Sequence, residues 1–140
     1  MTNQEMSRHY FDQSALILDE ARNYFKKSCW NMVVRRAQEV VELVTKAALR
    51  RIGVEVPRLH DVGWLLEQNA DKLPSLWKKE IESVKRISRV LRKERETSFY
   101  GDDETDLPPS ELYSRLDAEQ AIKDAEFILG LAKPAGRPKK

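Results

Sequence analysis

The sequence predicts an all-α protein that folds as an up-and-down bundle of about five helices. Apolar residues recur at the spacing of amphipathic helices along most of the 140 residues. Glycine and proline separate these periodic stretches, at Gly53, at Gly101 and at the pair Pro108-Pro109. The sequence shows neither the alternation of apolar and polar residues that is typical of half-buried strands nor an internal repeat. Amphipathic helices must bury their apolar sides against one another, so a bundle is expected.

Length and composition predict one soluble domain. A chain of 140 residues with 41% hydrophobic and 34% charged residues can bury a core of its own. We expect residues 1–133 to form the domain and residues 134–140 to be a loose basic tail. Cys29 is the single cysteine, no apolar run could span a bilayer, and the N-terminus lacks the layout of a signal peptide. These features predict a cytoplasmic protein without membrane contact.

The first two helices are the most strongly periodic. The first is predicted from Ser7, as its N-cap, to Lys27. The second runs from Trp30 to Ile52, and Gly53 is expected to end it in the manner of a C′ glycine. The apolar stripe of this second helix comprises Trp30, Val33, Val34, Ala37, Val40, Val41, Val44, Ala48 and Ile52.

Three further helices follow. A short one is predicted over His60–Asn69, and a long one extends from Pro74 to Phe99, with proline in its first turn. The last helix is expected to have Asp117 as its N-cap, with Gln120 completing a capping box. Its buried stripe comprises Ala118, Ala121, Ile122, Ala125, Ile128 and Leu129.

The long fourth helix separates apolar and basic residues onto opposite sides. Its apolar side comprises Trp77, Ile81, Val84, Ile87, Val90 and Leu91, and its basic side Lys78, Lys85, Arg86, Arg89, Arg92 and Lys93. The net charge of +2 is too small to predict a nucleic-acid partner by itself. A local row of Lys85, Arg89 and Arg92 is suited to contact phosphates, although a solvated helix face has the same composition.

Arg95 does not follow the basic side, because its spacing places the stem among the apolar positions. A guanidinium there either pairs with Glu94, Asp102 or Asp103, or faces a ligand across a cleft or an interface. In the second hypothesis Arg95 and Tyr100, one turn later, present a cation and a hydroxyl to a phosphate group.

Two stretches of the chain resemble known proteins. Residues 30–66 are similar to the central helix pair of HEPN domains, through Gln38-Glu39, the Glu-x-x-x-Lys of Glu42 and Lys46, and the turn Pro57-x-x-His60-Asp61. Residues 92–129 resemble the final segment of the family, through Arg95 followed by Tyr100 and the start Asp117-Ala118-Glu119. The resemblance extends over about residues 7–131.

The resemblance implies a helical bundle that forms two-fold dimers and is similar to the substrate-binding domains of nucleotidyltransferases. Many prokaryotic members are paired with a minimal nucleotidyltransferase, often as a toxin–antitoxin system. Ribonuclease members carry an Arg, a polar residue and a His several positions later. Here Tyr100 stands where that His is expected, and tyrosine is a much poorer base near neutral pH. In some toxin relatives a tyrosine in this region accepts transferred nucleotides, a role that the resemblance extends to Tyr100.

Other candidate residues have simpler interpretations. Lys46 is expected to pair with Glu42 one turn earlier, although it also belongs to the candidate ligand-binding set with Arg89, Arg92, Arg95 and Tyr100. His60 is expected to form a hydrogen bond at a helix start, and a catalytic role beside Arg95 is the alternative. No metal or cofactor motif is present in the sequence, so neither is expected.

These observations lead to one hypothesis and two alternatives. The hypothesis is a dimeric HEPN module that binds a nucleotide or RNA phosphate near Arg95 and Tyr100, paired with a minimal nucleotidyltransferase in a toxin–antitoxin-like system. The first alternative is a metal-independent RNA endonuclease toxin with a degenerate Arg…His motif, whose candidate catalytic residues are Arg95, Tyr100 and His60. The second is a purely structural interaction protein.

Overall fold

The computed structural model describes residues 1–56 and 62–132 of the chain. In these two ranges it contains six α-helices and no strand, which confirms the predicted all-α fold. The helices are α1 (Asn3–Lys26), α2 (Trp30–Arg51), α3 (Val62–Gln68), α4 (Ser75–Lys79), α5 (Ile81–Tyr100) and α6 (Arg115–Ala132). Short 3-10 turns occupy Ala70–Lys72 and Pro109–Glu111. The predicted tail over residues 134–140 lies outside the described residues.

Helix α2 is the centre of the bundle and packs against α1, α5 and α6. Its buried residues extend around more than one side of the helix: Val33, Val34, Ala37, Gln38, Val40, Val41, Val44, Thr45, Ala47 and Leu49. Helix α1 is antiparallel to α2, since Arg50 Nε donates to Asn3 Oδ1 at 2.8 Å while Phe25 contacts Trp30 at the other end. Helix α5 is also antiparallel to α2, since Asn31 Nδ2 in the first turn of α2 donates to the carbonyl of Ser98 in the last turn of α5 at 3.1 Å.

The start of α1 differs from the prediction. The helix begins at Asn3, and the hydroxyl of Thr2 accepts the N–H of Glu5 at 3.1 Å. The predicted N-cap at Ser7 is therefore wrong. Ser7 instead donates its hydroxyl to the carbonyl of Ala47 at 2.8 Å and so links α1 to α2.

The end of α2 follows the prediction closely. Gly53 has a φ of +84°, in the left-handed region that favours glycine. Its N–H bonds to the carbonyl of Arg50 at 3.0 Å, and the N–H of Val54 bonds to that of Leu49 at 2.9 Å. These two bonds form the Schellman motif, which satisfies carbonyls that the last turn would otherwise leave without partners.

The predicted long fourth helix is two helices, α4 and α5, which meet at Glu80. The backbone of Glu80 has φ −100° and ψ 16°, and its N–H is shared between the carbonyls of Leu76 and Trp77. Neither glycine nor proline marks this break. Trp77 is fully buried and its indole N–H donates to the carbonyl of Leu131 at 2.9 Å, so packing against α6 fixes the direction of α4. Val90, predicted on the apolar side, is exposed.

Helix α6 begins three residues earlier than predicted, at Arg115. The hydroxyl of Ser114 accepts the N–H of Asp117 at 3.3 Å, and the carboxylate of Asp117 accepts the N–H of Ser114 at 2.8 Å. This reciprocal pair is a capping box with Ser114 as N-cap. The predicted cap of Asp117 with Gln120 is wrong, since Gln120 Nε2 donates to Asp124 Oδ1 at 2.9 Å.

The loop between α5 and α6 closes on itself directly after Gly101. Asp102 and Leu107 exchange two backbone hydrogen bonds, at 3.1 and 3.3 Å. Gly101 has a φ of +87°. Within the ranges that the structure describes, no helix is long and apolar enough to cross a membrane.

Candidate functional site

A cleft opens between α2 and α5, and Val56 and Val62 also line it. It is lined by Gln38, Val41, Glu42, Thr45, Lys46, Val56, Val62, Ser88, Leu91, Arg92 and Arg95. Three basic side chains and one carboxylate belong to the described part of this lining. Their positions follow from the two antiparallel helices, each of which presents one side to the cleft.

Helix α2 contributes a polar row at one-turn spacing. Gln38, Glu42 and Lys46 are four residues apart, so their side chains lie one above another on the same side of the helix. Gln38 Nε2 donates to Glu42 Oε1 at 2.9 Å, and Lys46 Nζ donates to Glu42 Oε2 at 3.2 Å. The structure thus confirms the predicted pairing of Lys46 with Glu42 and adds Gln38 on the opposite side of the carboxylate.

Helix α5 contributes Arg95, whose Nη1 lies 3.5 Å from Glu42 Oε1. This distance is longer than a direct charge-assisted hydrogen bond, and the side chain of Arg95 is 52% exposed. The carbonyl of Arg95 accepts a hydrogen bond from the guanidinium of Arg35, which joins α5 to α2 at this level. Arg95 is therefore held at its backbone while its charged end remains accessible from the cleft.

The charge state of Glu42 follows from these neighbours. Burial of the carboxyl raises the pKa of Glu42, but hydrogen bonds from Gln38 and Lys46 and the charges of Lys46 and Arg95 lower it by more. The pKa of Glu42 consequently lies below its ordinary value. The cleft holds an ionised carboxylate at neutral pH, with cations on two sides.

Gln38 leaves one polar atom without a partner. The residue is only 4% exposed, and its Oε1 atom has no hydrogen-bond partner in the described structure. The orientation of the Gln38 amide follows from the hydrogen bond of Nε2 to Glu42. In the reverse orientation Gln38 Oε1 would face Glu42 Oε1, and both atoms are hydrogen-bond acceptors. A buried acceptor without a donor is unfavourable, and such groups in native proteins call for an explanation.

The family model described as the HEPN domain matches residues 7–134. The chain belongs to the HEPN domain family. The matched residues include all the described residues that line the cleft. No curated protein and no solved structure matches the chain.

The HEPN domain brings together some of the predicted site residues and separates others. Arg95, Arg92 and Lys46 all line the cleft. Arg89 and Tyr100 are exposed on α5 and are not among the residues that line it. His60 lies outside the described residues.

Tyr100 occupies the last position of α5 and its side chain projects into solvent. It is 68% exposed, and its ring contacts the edge of Phe99 with the two centroids 5.0 Å apart. Phe99 in turn lies beneath the guanidinium of Arg35, 5.1 Å from the ring centroid. The hydroxyl of Tyr100 is thus accessible, while its ring packs against Phe99, which in turn packs against Arg35.

The local partners expected for Arg95 have other roles. Glu94 accepts the hydroxyl of Tyr113 at 2.6 Å. Asp102 accepts the N–H of Glu104 at 3.0 Å. Both residues belong to the acidic loop, which contains Asp102, Asp103, Glu104 and Asp106. Burial and the hydrogen bond to Glu94 raise the pKa of Tyr113 above its ordinary value. Arg95 instead pairs across the bundle with Glu42 of α2.

Sequence reasoning did not assign Gln38 and Glu42 to the site. A signal was present, because a Gln, a Glu and a Lys at one-turn spacing interrupt the otherwise apolar and buried surface of α2. Polar residues in such a position need hydrogen-bond partners. A polar row beside a buried apolar stripe therefore indicates a cleft. In the described part of the HEPN domain, no group of three or more His, Cys, Asp or Glu side chains could hold a metal ion.

Proposed function

We propose that this HEPN-domain protein is a dimeric module that binds the phosphate group of a nucleotide or RNA in the cleft between α2 and α5. The observation that carries the proposal is the set of three cations, Lys46, Arg92 and Arg95, that line the cleft from two helices. Among the described residues that line the cleft, Glu42 is the one carboxylate, and Lys46 and Arg95 beside it carry two positive charges against its single negative charge.

Arg95 is the central phosphate ligand in this proposal. Its guanidinium can donate two parallel hydrogen bonds to a phosphate. The ion pair of Arg95 with Glu42, at 3.5 Å, is weak enough for a phosphate to replace it. Lys46 adds a point charge from α2. Of the predicted basic row, Lys85 is paired with Glu67 at 2.8 Å, and Arg89 is exposed on α5 and does not line the cleft.

The first experiment compares two arginine variants of the same helix. We expect Arg95→Ala to weaken the binding of inorganic phosphate and of adenosine monophosphate about tenfold or more, because a charge-assisted contact is lost. Arg86→Ala should have no such effect, since Arg86 is half a turn around α5 from Arg95 and does not line the cleft. Titration calorimetry measures both affinities.

Circular dichroism and light scattering provide the control for fold and assembly. The proposal requires that Arg95→Ala keeps the helical content and oligomeric state of the wild type. If the wild type binds neither ligand and Arg95→Ala unfolds the protein, Arg95 is a structural ion-pair partner and the phosphate site is rejected.

Pairing with a minimal nucleotidyltransferase is the second part of the proposal, with family membership and the accessible hydroxyl of Tyr100 as its support. In the transfer step the Tyr100 oxygen forms a bond to the α-phosphorus of a nucleoside triphosphate, the bond to pyrophosphate breaks, and the phenolic proton passes to a base of the transferase. We expect Tyr100→Phe to abolish labelling of the chain by a radioactive nucleotide. Labelling that persists in Tyr100→Phe and disappears in Tyr113→Phe would assign the acceptor elsewhere.

The two alternatives predict different outcomes. A ribonuclease toxin would cleave RNA without metal and lose this activity in Arg95→Ala, although no histidine lines the cleft among the residues that the structure describes. A purely structural interaction protein would neither bind phosphate nor cleave RNA. An RNA-cleavage assay with wild type and Arg95→Ala, run beside the calorimetry, separates the three functions.

A further inference from the structure

Arg35 of α2 contacts the end of α5 that carries both Arg95 and Tyr100. Its Nη1 donates to the backbone carbonyl of Arg95, and its guanidinium lies over the ring of Phe99, 5.1 Å from the centroid. Phe99 packs edge to face against Tyr100, with the two ring planes at 82°. One side chain therefore contacts the backbone of the cleft arginine and the ring that packs against the exposed tyrosine.

The guanidinium of Arg35 is also held from its own helix. Its Nε lies 3.5 Å from Glu39 Oε2, one turn later on α2, and the side chain is 19% exposed. The contacts to Glu39, Arg95 and Phe99 use different parts of one planar group whose donors form a rigid fork. The guanidinium thus connects a fixed point on α2 to two points on α5.

Glu39 binds a second arginine through its other oxygen. Arg36 Nη1 donates to Glu39 Oε1 at 2.6 Å, and Arg36 Nε lies 3.2 Å from Glu20 Oε1 of α1. The side chain of Arg36 is 29% exposed, close to the value for Arg35. The two neighbouring arginines therefore share one carboxylate and have similar burial, but Arg35 contacts α5 and Arg36 contacts α1.

The backbone of α5 is held by α2 at a second carbonyl in its last turns. Asn31 Nδ2 donates to the carbonyl of Ser98 at 3.1 Å. Helix ends open more readily than helix centres, so such contacts matter most there. Because a binding group must be placed to within a fraction of an ångström, a shift of this backbone would move the guanidinium of Arg95 relative to the cleft.

We propose that Arg35 is a positioning residue for the phosphate site, which determines through the Arg95 carbonyl and the Phe99 ring where α5 presents Arg95 to the cleft. The proposal rests on the phosphate site described above and adds a residue from outside the described lining of the cleft. Arg35 acts through Arg95 and does not bind the phosphate itself.

The geometry requires an arginine at this position and not only a positive charge. A lysine has one terminal nitrogen, which can meet Glu39, the Arg95 carbonyl or the Phe99 ring but cannot hold all three at their separate places. The substitution Arg35→Lys keeps the charge and removes the fork. It therefore distinguishes positioning from the general attraction of phosphate by positive charge.

The test compares Arg35→Lys with the matched control Arg36→Lys by titration calorimetry, with inorganic phosphate and adenosine monophosphate as probes. We expect Arg35→Lys to weaken binding of both probes at least about threefold, because the backbone that carries Arg95 loses part of its support. Arg36→Lys should change the affinities by less than about threefold, since Arg36 contacts α1. Circular dichroism verifies that both variants are folded.

Hydrogen exchange followed by NMR gives a readout that needs no ligand. The backbone amides of residues 97–100, in the last turn of α5, should exchange faster in Arg35→Lys than in Arg36→Lys. The amides of Val40 and Val41, in the buried middle of α2, should exchange as in the wild type. A merely structural role would speed exchange throughout the core and lower the urea midpoint, with the affinity of the folded protein unchanged.

The outcomes separate this inference from the function on which it rests. If the wild type binds phosphate and Arg35→Lys binds it equally well, the positioning role is overturned and the phosphate site stands. Equal losses of affinity in both lysine variants also overturn it, as does unchanged exchange of residues 97–100 in Arg35→Lys. If the wild type binds neither probe, the phosphate site and the inference are both rejected.

Discussion

Glu42 connects the two helices that form the cleft, and its ionisation should be visible in the stability of the protein. Folding lowers the pKa of Glu42, so the unfolded chain takes up this proton at a higher pH than the folded chain. The stabilising contribution is complete above the ordinary glutamate pKa of about 4.3 and is lost as the pH falls through the lowered value in the folded protein.

This linkage gives a prediction at the scale of one residue. We expect Glu42→Gln to be less stable than the wild type at pH 7, and the difference in urea midpoint to shrink as the pH falls below about 4, where the wild type loses the contribution itself. Equilibrium unfolding in urea at a series of pH values measures it. A difference that stays constant from pH 7 to pH 3 would show that Glu42 is not stabilised as an anion.

The individual contacts of the site show what a sequence can and cannot predict. The Glu42–Lys46 pair was predictable because it is local and follows from helix geometry. The partner of Arg95 was not, because Glu42 is 53 positions away and is brought near only by the packing of α5 against α2. Local acidic residues were the natural candidates, and the structure assigns them to Tyr113 and to the acidic loop.

Among the elements, the loop after α5 depends most on a single residue type. Gly101 has a φ of +87°, and a Cβ atom placed on it would overlap the carbonyl oxygen of Leu107. That oxygen belongs to the backbone and accepts the N–H of Asp102, so it cannot move without breaking the loop closure. The loop therefore excludes every residue but glycine at this position.

Replacing this glycine should destabilise the protein strongly. We expect Gly101→Ala to lower the free energy of unfolding by at least about 2 kcal/mol, from the left-handed backbone and the overlap together. Gly130→Ala is the matched control, because Gly130 lies in α6 with open space around its Cβ position, and it should stabilise by about 0.5–1 kcal/mol. Thermal or urea unfolding measures both. Similar effects from the two substitutions would contradict the proposed role of Gly101.

Most helix positions were predictable from periodicity, and the errors lie at helix ends. Gly53 ended α2 as predicted because a C′ glycine has a local cause. Glu80 was missed because the break between α4 and α5 comes from the packing of Trp77 under α6, which leaves no local signal. At α6 the predicted cap of Asp117 with Gln120 was wrong, because Ser114 and Asp117 form a reciprocal pair of hydrogen bonds three residues earlier.

At the scale of the whole molecule, apolar side chains remain exposed on several helices. The described residues with large exposed apolar side chains include Leu16 on α1, Val90 on α5, and Leu116 and Phe127 on α6. Such side chains are often covered in an assembly, and a two-fold dimer buries the same surface on both copies.

We therefore expect a homodimer in solution. Size-exclusion chromatography with light scattering should give about twice the 16.3 kDa mass of the chain at micromolar concentration. Dilution should shift the mass toward that of the monomer only at much lower concentration. A single species of monomer mass at micromolar concentration would reject the dimer, and with it any site completed by a second copy.

The hydrogen bond between Trp77 and Leu131 has an optical consequence. Trp77 is fully buried and its indole N–H is bound to the last turn of α6, whereas Trp64 is half exposed. Emission from Trp77 should be shifted to the blue and shielded from acrylamide, and that from Trp64 readily quenched. Detachment of α6 would bring Trp77 into water and shift its emission to the red. Because Trp30 is the third tryptophan of the chain, a variant with both Trp30→Phe and Trp64→Phe would leave Trp77 as a fluorescent reporter of whether α6 is packed against α4.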